Sequence, residues 1–239
     1  MAVDLHKAYI HTALKFCFGP DVLSNLELRS LLQLLAEHAE EIAAEAGDYV
    51  MQEGIDAEYL FIPTSGVMLI ERASSSNFRH VYAFVFPGNL FGISSESRYP
   101  YSVKALAPVS LLRIKRTHLD QLMRTDPAVA RLFYEIATRI ISFLISNLYM
   151  LGQKTAVQRV CYFLLDFQRM GNFGNELFVP MTRKDIACYL GISEETVSRA
   201  FTRLKQLQLI DVKSQYFIEL LDVSRLEQCC QERDIPVSN

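Results

Sequence analysis

The sequence predicts an α+β fold in three parts: an N-terminal roll of short β-strands, a long helix, and a C-terminal unit of short helices and strands. Short β-like runs separated by glycine turns fill residues 47–114. A helical pattern of apolar residues covers residues 118–151, and short helical and strand patterns alternate beyond Gly152. We therefore expect three segments, 1–125, 126–152 and 153–239.

The composition is that of a globular protein. Half of the 239 residues are hydrophobic and 21% are charged, which excludes a disordered or collagen-like chain. The start lacks a basic segment followed by an apolar run, so no signal peptide is predicted. The most apolar stretch, IISFLISNLYMLG, is interrupted by Ser and Asn and is too short to cross a bilayer. We expect a cytoplasmic protein with no membrane partner.

The charge is unevenly distributed along the chain. Residues 153–215 contain nine Lys or Arg and six Asp or Glu, a balance of +3. The whole chain carries −3, so the remainder carries −6. A basic segment on an acidic chain indicates a polyanionic partner for that segment.

The five cysteines are scattered and include no C-x-x-C pair, which argues against a disulfide framework and a closed zinc site. Cys161 and Cys188 are predicted to be buried free thiols. Cys229 and Cys230 are adjacent near the C-terminus, where they indicate either a redox feature or, as we favour, a frayed helix end.

The first 125 residues are predicted to form helices followed by the roll. Leucines at i, i+3, i+4 and i+7 spacing predict a helix over residues 24–45; they are Leu28, Leu31, Leu32 and Leu35. After Gly47 the strand-like runs are YVMQ, YLFIP, VMLIER, HVYAFVF, SVKAL and VSLLRIK. Short strands with glycine turns indicate a sheet closed around its own core.

The long helix is predicted to begin at Pro127, because Asp126 before it is a good N-cap. It carries two apolar stripes and therefore needs two partners: the roll and a second copy of the helix, unless it is buried in one monomer core. The first stripe, which we predict to dimerise, is Phe133, Ile136, Ile140, Phe143, Asn147 and Met150. The second stripe is Ile141, Leu144, Ile145, Leu148 and Leu151.

Residues 182–204, TRKDIACYLGISEETVSRAFTRL, predict two short helices joined by a tight turn. Thr182 is an N-cap with Asp185 at the capping-box position, and Ser193 caps the second helix. Gly191 fills the bend, where a positive φ favours glycine. Val197, Phe201 and Leu204 are spaced to face inward. This is a helix-turn-helix, and the β-pair predicted from LQLIDVKSQYFIELLD supplies a wing.

The outer side of the second helix then carries Glu195, Ser198 and Arg199. Arg suits the O6/N7 edge of guanine, Glu accepts from cytosine N4, and Ser contacts a base or the thymine methyl. We predict that these three side chains read bases. Backbone or supporting contacts are predicted for Thr182, Arg183, Lys184, Thr196, Arg203 and Lys213. A solvated helix face is the alternative. Catalysis is disfavoured because no histidine is near Ser198 in sequence.

These residues resemble the CRP/FNR family of bacterial transcription regulators over nearly the whole chain. AGDYVMQEGIDAEYLFIPTSGVMLIE and PGNLFG resemble its cyclic-nucleotide-binding-type β-roll, and residues 126–151 resemble its dimerisation helix. GISEETVSRAFTRLK is similar to the FNR-type recognition helix, whose Glu-x-x-Ser-Arg pattern falls on Glu195, Ser198 and Arg199. The resemblance implies a TTGA-type inverted repeat. Cyclic-AMP-responsive relatives have Arg at the position of Glu194, so we do not expect this chain to bind their TGTGA-type site.

The effector residues of the family are missing. Ile93 follows Gly92 where cyclic-nucleotide binders have an acid, and Tyr99-Pro100 replaces their Arg-Ser/Thr pair, with only Arg98 nearby. We therefore expect neither cyclic AMP nor cyclic GMP. Only Cys17 precedes residue 161, so a four-cysteine iron–sulfur cluster is not expected. Haem or an apolar ligand is left open, with His6, His11 and His80 as candidate axial ligands, and so is the absence of any effector.

The resemblance implies a homodimeric, sequence-specific regulator that binds double-stranded DNA and RNA polymerase. The chain contains no H-E-x-x-H motif, P-loop or nucleophile elbow, and we do not expect an enzyme. The alternative is a haem or small-molecule sensor whose DNA-binding role is weak or lost.

Overall fold

The computed structural model of the protein describes residues 37–73, 79–171 and 173–231. The predicted leucine-patterned segment up to residue 36 lies outside these residues, as do His6, His11 and Cys17. The chain divides into two compact units, Met1–Ile141 and Ser142–Asn239. Within the described residues, no helix combines the length and apolarity needed to cross a bilayer.

The strands of the first unit are antiparallel. They are β1 (Ala39–Ala44), β2 (Tyr49–Met51), β3 (Tyr59–Ser65), β4 (Met68–Ala73), β5 (Arg79–Val85), β6 (Ser102–Ala105) and β7 (Val109–Lys115). One sheet has the order β1-β7-β3 and the other the order β2-β6-β4-β5. The predicted strand-like runs each coincide with one of β2 to β7, so the roll is confirmed.

The helix predicted over residues 24–45 is wrong at its end, because β1 occupies Ala39–Ala44. Its sequence, AEEIAA, has high helix propensity, but six consecutive residues pair with β7, from Ala39 with Ile114 to Ala44 with Val109. Ala39, Ile42 and Ala44 are half-buried and pack on the core. Pairing and burial in the sheet outweigh the local preference.

The core of the roll is apolar and rich in aromatic rings. Phe61 and Phe91 stack with their ring centroids 5.0 Å apart and exchange backbone hydrogen bonds. Gly92 follows with φ +88°, and a Cβ there would lie 2.7 Å from the carbonyl oxygen of Tyr59. This close approach of two backbone segments therefore requires glycine.

Two helices follow the roll: α1 (Arg116–Thr125) and α2 (Pro127–Gln153). The predicted N-cap is confirmed, since Asp126 Oδ1 accepts from the Ala128 N–H at 2.8 Å. Val129, Leu132 and Ile136 of α2 pack in one buried cluster with residues of β3, β7 and α1. The start of α2 is thus part of the core of the first unit.

The two stripes of α2 are placed differently from the prediction. In the first stripe, Ile136, Asn147 and Met150 are 4%, 6% and 1% exposed, so their own chain already covers them. Phe133 and Phe143 are half-buried and Ile140 is 38% exposed. The second stripe exposes Ile141, Leu144, Ile145 and Leu148, at 44% to 69%. Ile136, Asn147 and Met150 therefore have little surface left for a second chain. Which residues of α2 form a dimer contact stays a prediction.

The second unit contains helices and a small sheet. They are α3 (Ala156–Met170), β8 (Glu176–Phe178), α4 (Arg183–Leu190), α5 (Glu194–Gln206), β9 (Ile210–Val212), β10 (Phe217–Leu220) and α6 (Val223–Gln231). The sheet order is β8-β10-β9, all antiparallel. Helices α3, α4 and α5 enclose a core in which Leu164, Ile186 and Val197 are fully buried. The predicted helix-turn-helix and the β-pair after it are confirmed. The division into segments 1–125, 126–152 and 153–239 stays a prediction.

Candidate nucleic-acid interface

The turn between α4 and α5 is fixed by the caps that the sequence predicts. Asp185 Oδ2 accepts from the Thr182 N–H at 2.8 Å, and Thr182 Oγ1 accepts from the Asp185 N–H at 3.1 Å. Gly191 ends α4 with φ +62°, in the left-handed region. Ser193 Oγ then accepts from the Thr196 N–H at 3.1 Å and begins α5. The start of α5 is therefore determined by local hydrogen bonds.

Helix α5 has one buried and one exposed face. Its buried residues are Val197, Ala200, Phe201 and Leu204, each at most 4% exposed. The opposite face exposes Glu195, Ser198 and Arg199, so the structure brings the three predicted base-reading residues together. A helix held on its apolar side presents polar groups at fixed positions to an incoming surface.

Glu195 and Arg199 form an ion pair on this face, with Arg199 Nη2 2.6 Å from Glu195 Oε1. Their side chains are 73% and 79% exposed, so solvent screens the pair and it contributes little to stability. The effect of the pair is on orientation: the Glu195 carboxylate holds the Arg199 guanidinium close to it, one helical turn away on the same face of α5. Both groups keep free hydrogen-bonding capacity, because a guanidinium has five N–H donors and a carboxylate about four acceptor sites.

Several of the predicted backbone-contacting residues have structural partners. The Arg183 guanidinium carbon lies 3.4 Å from the centroid of the Phe201 ring, and burial lowers the pKa of this side chain. Arg183 therefore packs α4 against α5. The Thr182 hydroxyl donates to Asp185, and the Thr196 hydroxyl is bonded to Ser193 Oγ at 2.7 Å. Arg203 is half-buried, and Lys184 is exposed on α4.

Lys213, in the loop between β9 and β10, is held by two carboxylates. Its Nζ lies 2.7 Å from Glu219 Oε2 and 3.1 Å from Asp211 Oδ2. The Glu219 hydrogen bond, followed by that of Asp211, raises the pKa of Lys213. Lys205 shares Asp211 at 3.0 Å. The charge of Lys213 is largely compensated, so it is a weaker candidate for phosphate binding than Lys184.

Arg159 of α3 is a positioning residue that sequence reasoning missed. Its guanidinium donates to three backbone carbonyls: Leu190 at 2.9 Å, Leu151 at 2.7 Å and Lys154 at 3.0 Å. It thereby links the last turn of α2 to the last residue of α4. Nothing in the sequence near Arg159 marks this role, because its partners are main-chain atoms up to 31 residues away.

Two family models match the chain. Residues 158–229 match the Crp-like helix-turn-helix domain, and residues 41–126 match the cyclic nucleotide-binding domain. The nitrogen fixation regulation protein FixK of Azorhizobium caulinodans is 34% identical over 177 residues, 72% of this chain and 71% of that protein. The chain belongs to the CRP/FNR family of transcription regulators.

Further relatives agree with this family assignment. The transcriptional activator protein Anr of Pseudomonas protegens is 29% identical over 186 residues, covering 75% of this chain and 76% of that protein. The solved structure of FixK2 from Bradyrhizobium japonicum superposes with a TM-score of 0.77 at 29% identity, covering 80% of this chain and 96% of that one. As a CRP/FNR member, the chain is a DNA-binding transcription regulator and not an enzyme.

The roll of this CRP/FNR protein uses the expected ligand positions differently. Ile93 is exposed, and the exposed side chain of Arg98 lies 3.7 Å from Asp56. Tyr99 is 3% exposed; its hydroxyl donates to the Tyr59 carbonyl at 2.6 Å and accepts from the Tyr59 N–H at 2.9 Å. Burial raises the pKa of Tyr99, which keeps the hydroxyl protonated. A tyrosine bonded to the backbone of Tyr59 thus lies where the resemblance places an Arg-Ser/Thr pair.

The remaining candidate ligands of the roll have little support in the described residues. His80 lies on β5 and is exposed. No group of three or more His, Cys, Asp or Glu among residues 37–73, 79–171 and 173–231 is arranged to hold a metal ion. A haem iron needs only one or two axial ligands, and His6 and His11 lie outside the described residues, so haem stays an open alternative.

Proposed function

We propose that this regulator acts in the cytoplasm as a homodimer that binds a TTGA-type inverted repeat and contacts RNA polymerase, with an effector other than a cyclic nucleotide or with none. The observation that carries the proposal is the exposed face of α5, where Glu195, Ser198 and Arg199 lie opposite a fully buried apolar face. Two such helices, related by a two-fold axis, enter successive major grooves about 34 Å apart.

The ion pair on α5 supports recognition of a G·C pair. Arg199 donates two hydrogen bonds to O6 and N7 of the guanine in TTGA. Glu195, whose carboxylate already contacts Arg199, accepts from N4 of the paired cytosine. Ser198, one position before Arg199, contacts a neighbouring base or a thymine methyl. The acid and the guanidinium thus match the two halves of one base pair.

The second stripe of α2 supports the homodimer. Ile141, Leu144, Ile145 and Leu148 lie at i, i+3, i+4 and i+7 spacing, and each is at least 44% exposed. An exposed apolar stripe of this spacing is typical of a coiled-coil seam. We therefore assign the dimer contact to these four residues rather than to Ile136, Asn147 and Met150.

The buried Tyr99 supports a mode of action without a cyclic nucleotide. Its ring and hydroxyl are engaged inside the roll, and no acid follows Gly92 to bind a ribose. An absorption spectrum of the purified protein checks the haem alternative, for which we expect no Soret band.

Binding to designed duplexes tests the proposed function. Fluorescence anisotropy should show that the full-length protein prefers a TTGA-type palindrome over a duplex of scrambled sequence by about 10³-fold or more. Replacing one half-site should cost about 10²-fold, because both α5 helices of a dimer must bind at once. Equal affinity for the intact and the half-destroyed palindrome would exclude dimeric recognition.

A further inference from the structure

The carboxyl ends of two helices meet at one side chain of the second unit, the guanidinium of Arg159. Helix α2 ends at Gln153 and α4 ends at Leu190, and the last carbonyls of a helix have no partner within it. Arg159 Nη2 donates to the Leu151 carbonyl in the last turn of α2, and Nη1 donates to the Leu190 carbonyl. One side chain of α3 therefore caps both helices.

A guanidinium suits this position in charge and in shape. A cation is favourable at the negative end of a helix dipole, and Arg159 lies at two such ends. Its third nitrogen, Nε, donates to the Lys154 carbonyl in the connection between α2 and α3. The N–H directions of a planar guanidinium are fixed, whereas a lysine ammonium is a point charge. The fork of Arg159 therefore constrains the relative positions of three carbonyls.

The surroundings of Arg159 are also fixed. The Thr155 N–H donates to Gln158 Oε1 at 2.8 Å, and Gln158 is 4% exposed, so the first turn of α3 is capped by a buried side chain. A Cβ at Gly191 would lie 3.8 Å from Arg159 Nη1 and 3.8 Å from Leu151 Cδ2. The bend of the helix-turn-helix therefore lies next to the end of α2.

A second cation ties the same connection to α6. Lys154 Nζ donates to the Cys230 carbonyl, in the last turn of α6, at 2.6 Å. The Lys154 N–H donates to the Met150 carbonyl at 3.2 Å. The connection between α2 and α3 is thus bonded to α2, α4 and α6. The frayed helix end predicted for Cys229 and Cys230 stays a prediction.

This joint lies between the two parts on which the proposed function depends. Leu144, Ile145 and Leu148, assigned above to the dimer contact, lie in the second half of α2. Helix α5 follows α4 through the bend at Gly191. In a dimer, the separation and the relative rotation of the two α5 helices therefore depend on how each α4 is attached to the end of α2.

We propose that Arg159 is a positioning residue that sets the spacing between half-sites that the dimer accepts on DNA, without contacting a base itself. This inference rests on the proposed function, dimeric binding of an inverted repeat.

The spacing of half-sites is a sensitive measure of such a joint. Each added base pair moves one half-site by about 3.4 Å along the duplex and rotates it by about 35°. Two α5 helices at fixed positions cannot follow both changes, whereas helices on a loosened joint can. Loss of the Arg159 contacts should therefore relax the preference for spacing. It should leave the base preference of each half-site intact, because Glu195 and Arg199 remain on α5.

The experiment measures the affinity of the full-length protein for four duplexes by fluorescence anisotropy. They are the palindrome at its preferred spacing, the palindrome with one base pair inserted, the palindrome with one base pair removed, and a single half-site. For the wild type, we expect either change of spacing to weaken binding by about 10-fold or more, because the two α5 helices can no longer bind at once.

Arg159→Met keeps an unbranched side chain and removes every donor. We expect its affinity for the preferred spacing to fall by about 10-fold, and the difference among the three spacings to shrink to about 2-fold. Its affinity for the single half-site should equal that of the wild type. The slope of log affinity against log salt concentration should also stay the same, because a positioning residue displaces no counterions from DNA.

Arg169→Met is the matched control, because Arg169 is on the same helix and pairs with Asp166 of α3 itself. It should keep the wild-type preference for spacing. Arg159→Lys keeps the charge without the planar fork and should show a preference for spacing between those of the wild type and Arg159→Met.

The inference is overturned by a folded Arg159→Met protein that keeps the wild-type preference for spacing, or that loses affinity equally on all four duplexes. Circular dichroism shows whether the variant is folded. Should Arg159→Met fail to fold, Arg159→Lys decides, and a wild-type preference for spacing is again the contradicting result. A wild type that binds all spacings and the single half-site equally would contradict the proposed dimeric recognition, and this inference with it.

Discussion

Tyr99 in the roll and Arg199 in the helix-turn-helix are both polar side chains next to an apolar core, and they are used in opposite ways. Tyr99 is 3% exposed, and its hydroxyl makes two hydrogen bonds to the backbone of Tyr59. Arg199 is 79% exposed and is paired with Glu195 on the same open face. The Tyr99 hydroxyl is satisfied by the chain itself, whereas Glu195 and Arg199 on α5 keep hydrogen-bonding capacity for a partner.

The comparison suggests a division of roles between the two regions. A buried hydroxyl bonded to a neighbouring backbone segment stabilises a fold, since an unsatisfied polar group there is costly. An exposed ion pair contributes little to stability and leaves both groups accessible to a partner. Changes in the roll should therefore affect stability and spare sequence preference, and changes on α5 should do the reverse.

The largest effect is expected from the second stripe of α2, on which the proposed DNA binding by paired helices depends. Leu148→Glu places a charge in the proposed seam, where Leu148 is 69% exposed in the single chain. We expect a monomer in analytical ultracentrifugation and about 10²–10⁴-fold weaker binding to the palindrome.

The matched control for this seam is Ser146→Glu, which adds the same charge on the other side of the same helix. It should remain a dimer with unchanged affinity. A Leu148→Glu protein that sediments as a dimer would reject the second stripe as the contact.

Loss of the Arg199 side chain should be the next largest effect. Arg199→Ala should cost about 1–3 kcal/mol on the palindrome and flatten the preference at one base pair, because the guanine loses its bidentate partner. Arg199→Lys keeps the charge but not the planar fork, and should lose the same preference with a smaller loss of affinity. Gel shifts on single-base variants measure both. An unchanged order of preference in Arg199→Ala would contradict base reading.

Tyr99→Phe tests the other side of the comparison. The change removes the hydroxyl that is hydrogen-bonded to the Tyr59 N–H and carbonyl. It should lower the free energy of unfolding, measured by urea denaturation, by about 1–3 kcal/mol. DNA sequence preference should stay the same. Tyr82→Phe, at an exposed position, should change stability by less than about 0.5 kcal/mol. A change of DNA sequence preference in Tyr99→Phe, with no loss of stability, would contradict this division of roles.

The smallest effect concerns two lysines of the C-terminal unit. Lys184→Ala should weaken binding to all sequences alike. It should also reduce the magnitude of the salt slope, the slope of log binding constant against log salt concentration, by about 1 for each lost phosphate contact. Lys213→Ala should change the slope less, because Asp211 and Glu219 already hold that ammonium. Titrations at several salt concentrations compare the two. A larger change for Lys213 would mean that its ion pairs open on DNA.

What the sequence could predict depended on how local the determining interactions are. Thr182, Gly191 and Ser193 form hydrogen bonds with residues at most four positions away in the chain. The helix caps and the bend can therefore be predicted from the sequence alone. The strand β1 was missed, because its pairing with β7 is long-range and its Ala and Glu residues favour a helix. The Arg183–Phe201 contact and the three carbonyls bound by Arg159 are likewise non-local.

The stripes of α2 illustrate the same limit. Periodicity showed that the helix has two apolar stripes, but the choice between them depends on which one the rest of the chain covers. Ile136 is covered by residues of β3, β7 and α1, far from it in sequence. Ile141 and Leu148 are left exposed. The periodicity of a sequence can thus predict that a helix has a face for a partner without predicting which side chains form that face.

The most direct test of the central claim, that α5 reads bases through Glu195, Ser198 and Arg199, is selection from a pool of random duplexes by the full-length protein. We expect enrichment of inverted repeats with TTGA-type half-sites for the wild type, and loss of the G·C preference for the Glu195→Ala, Arg199→Ala double variant. Enrichment of no sequence by the wild type, or of the same repeats by both proteins, would contradict the account.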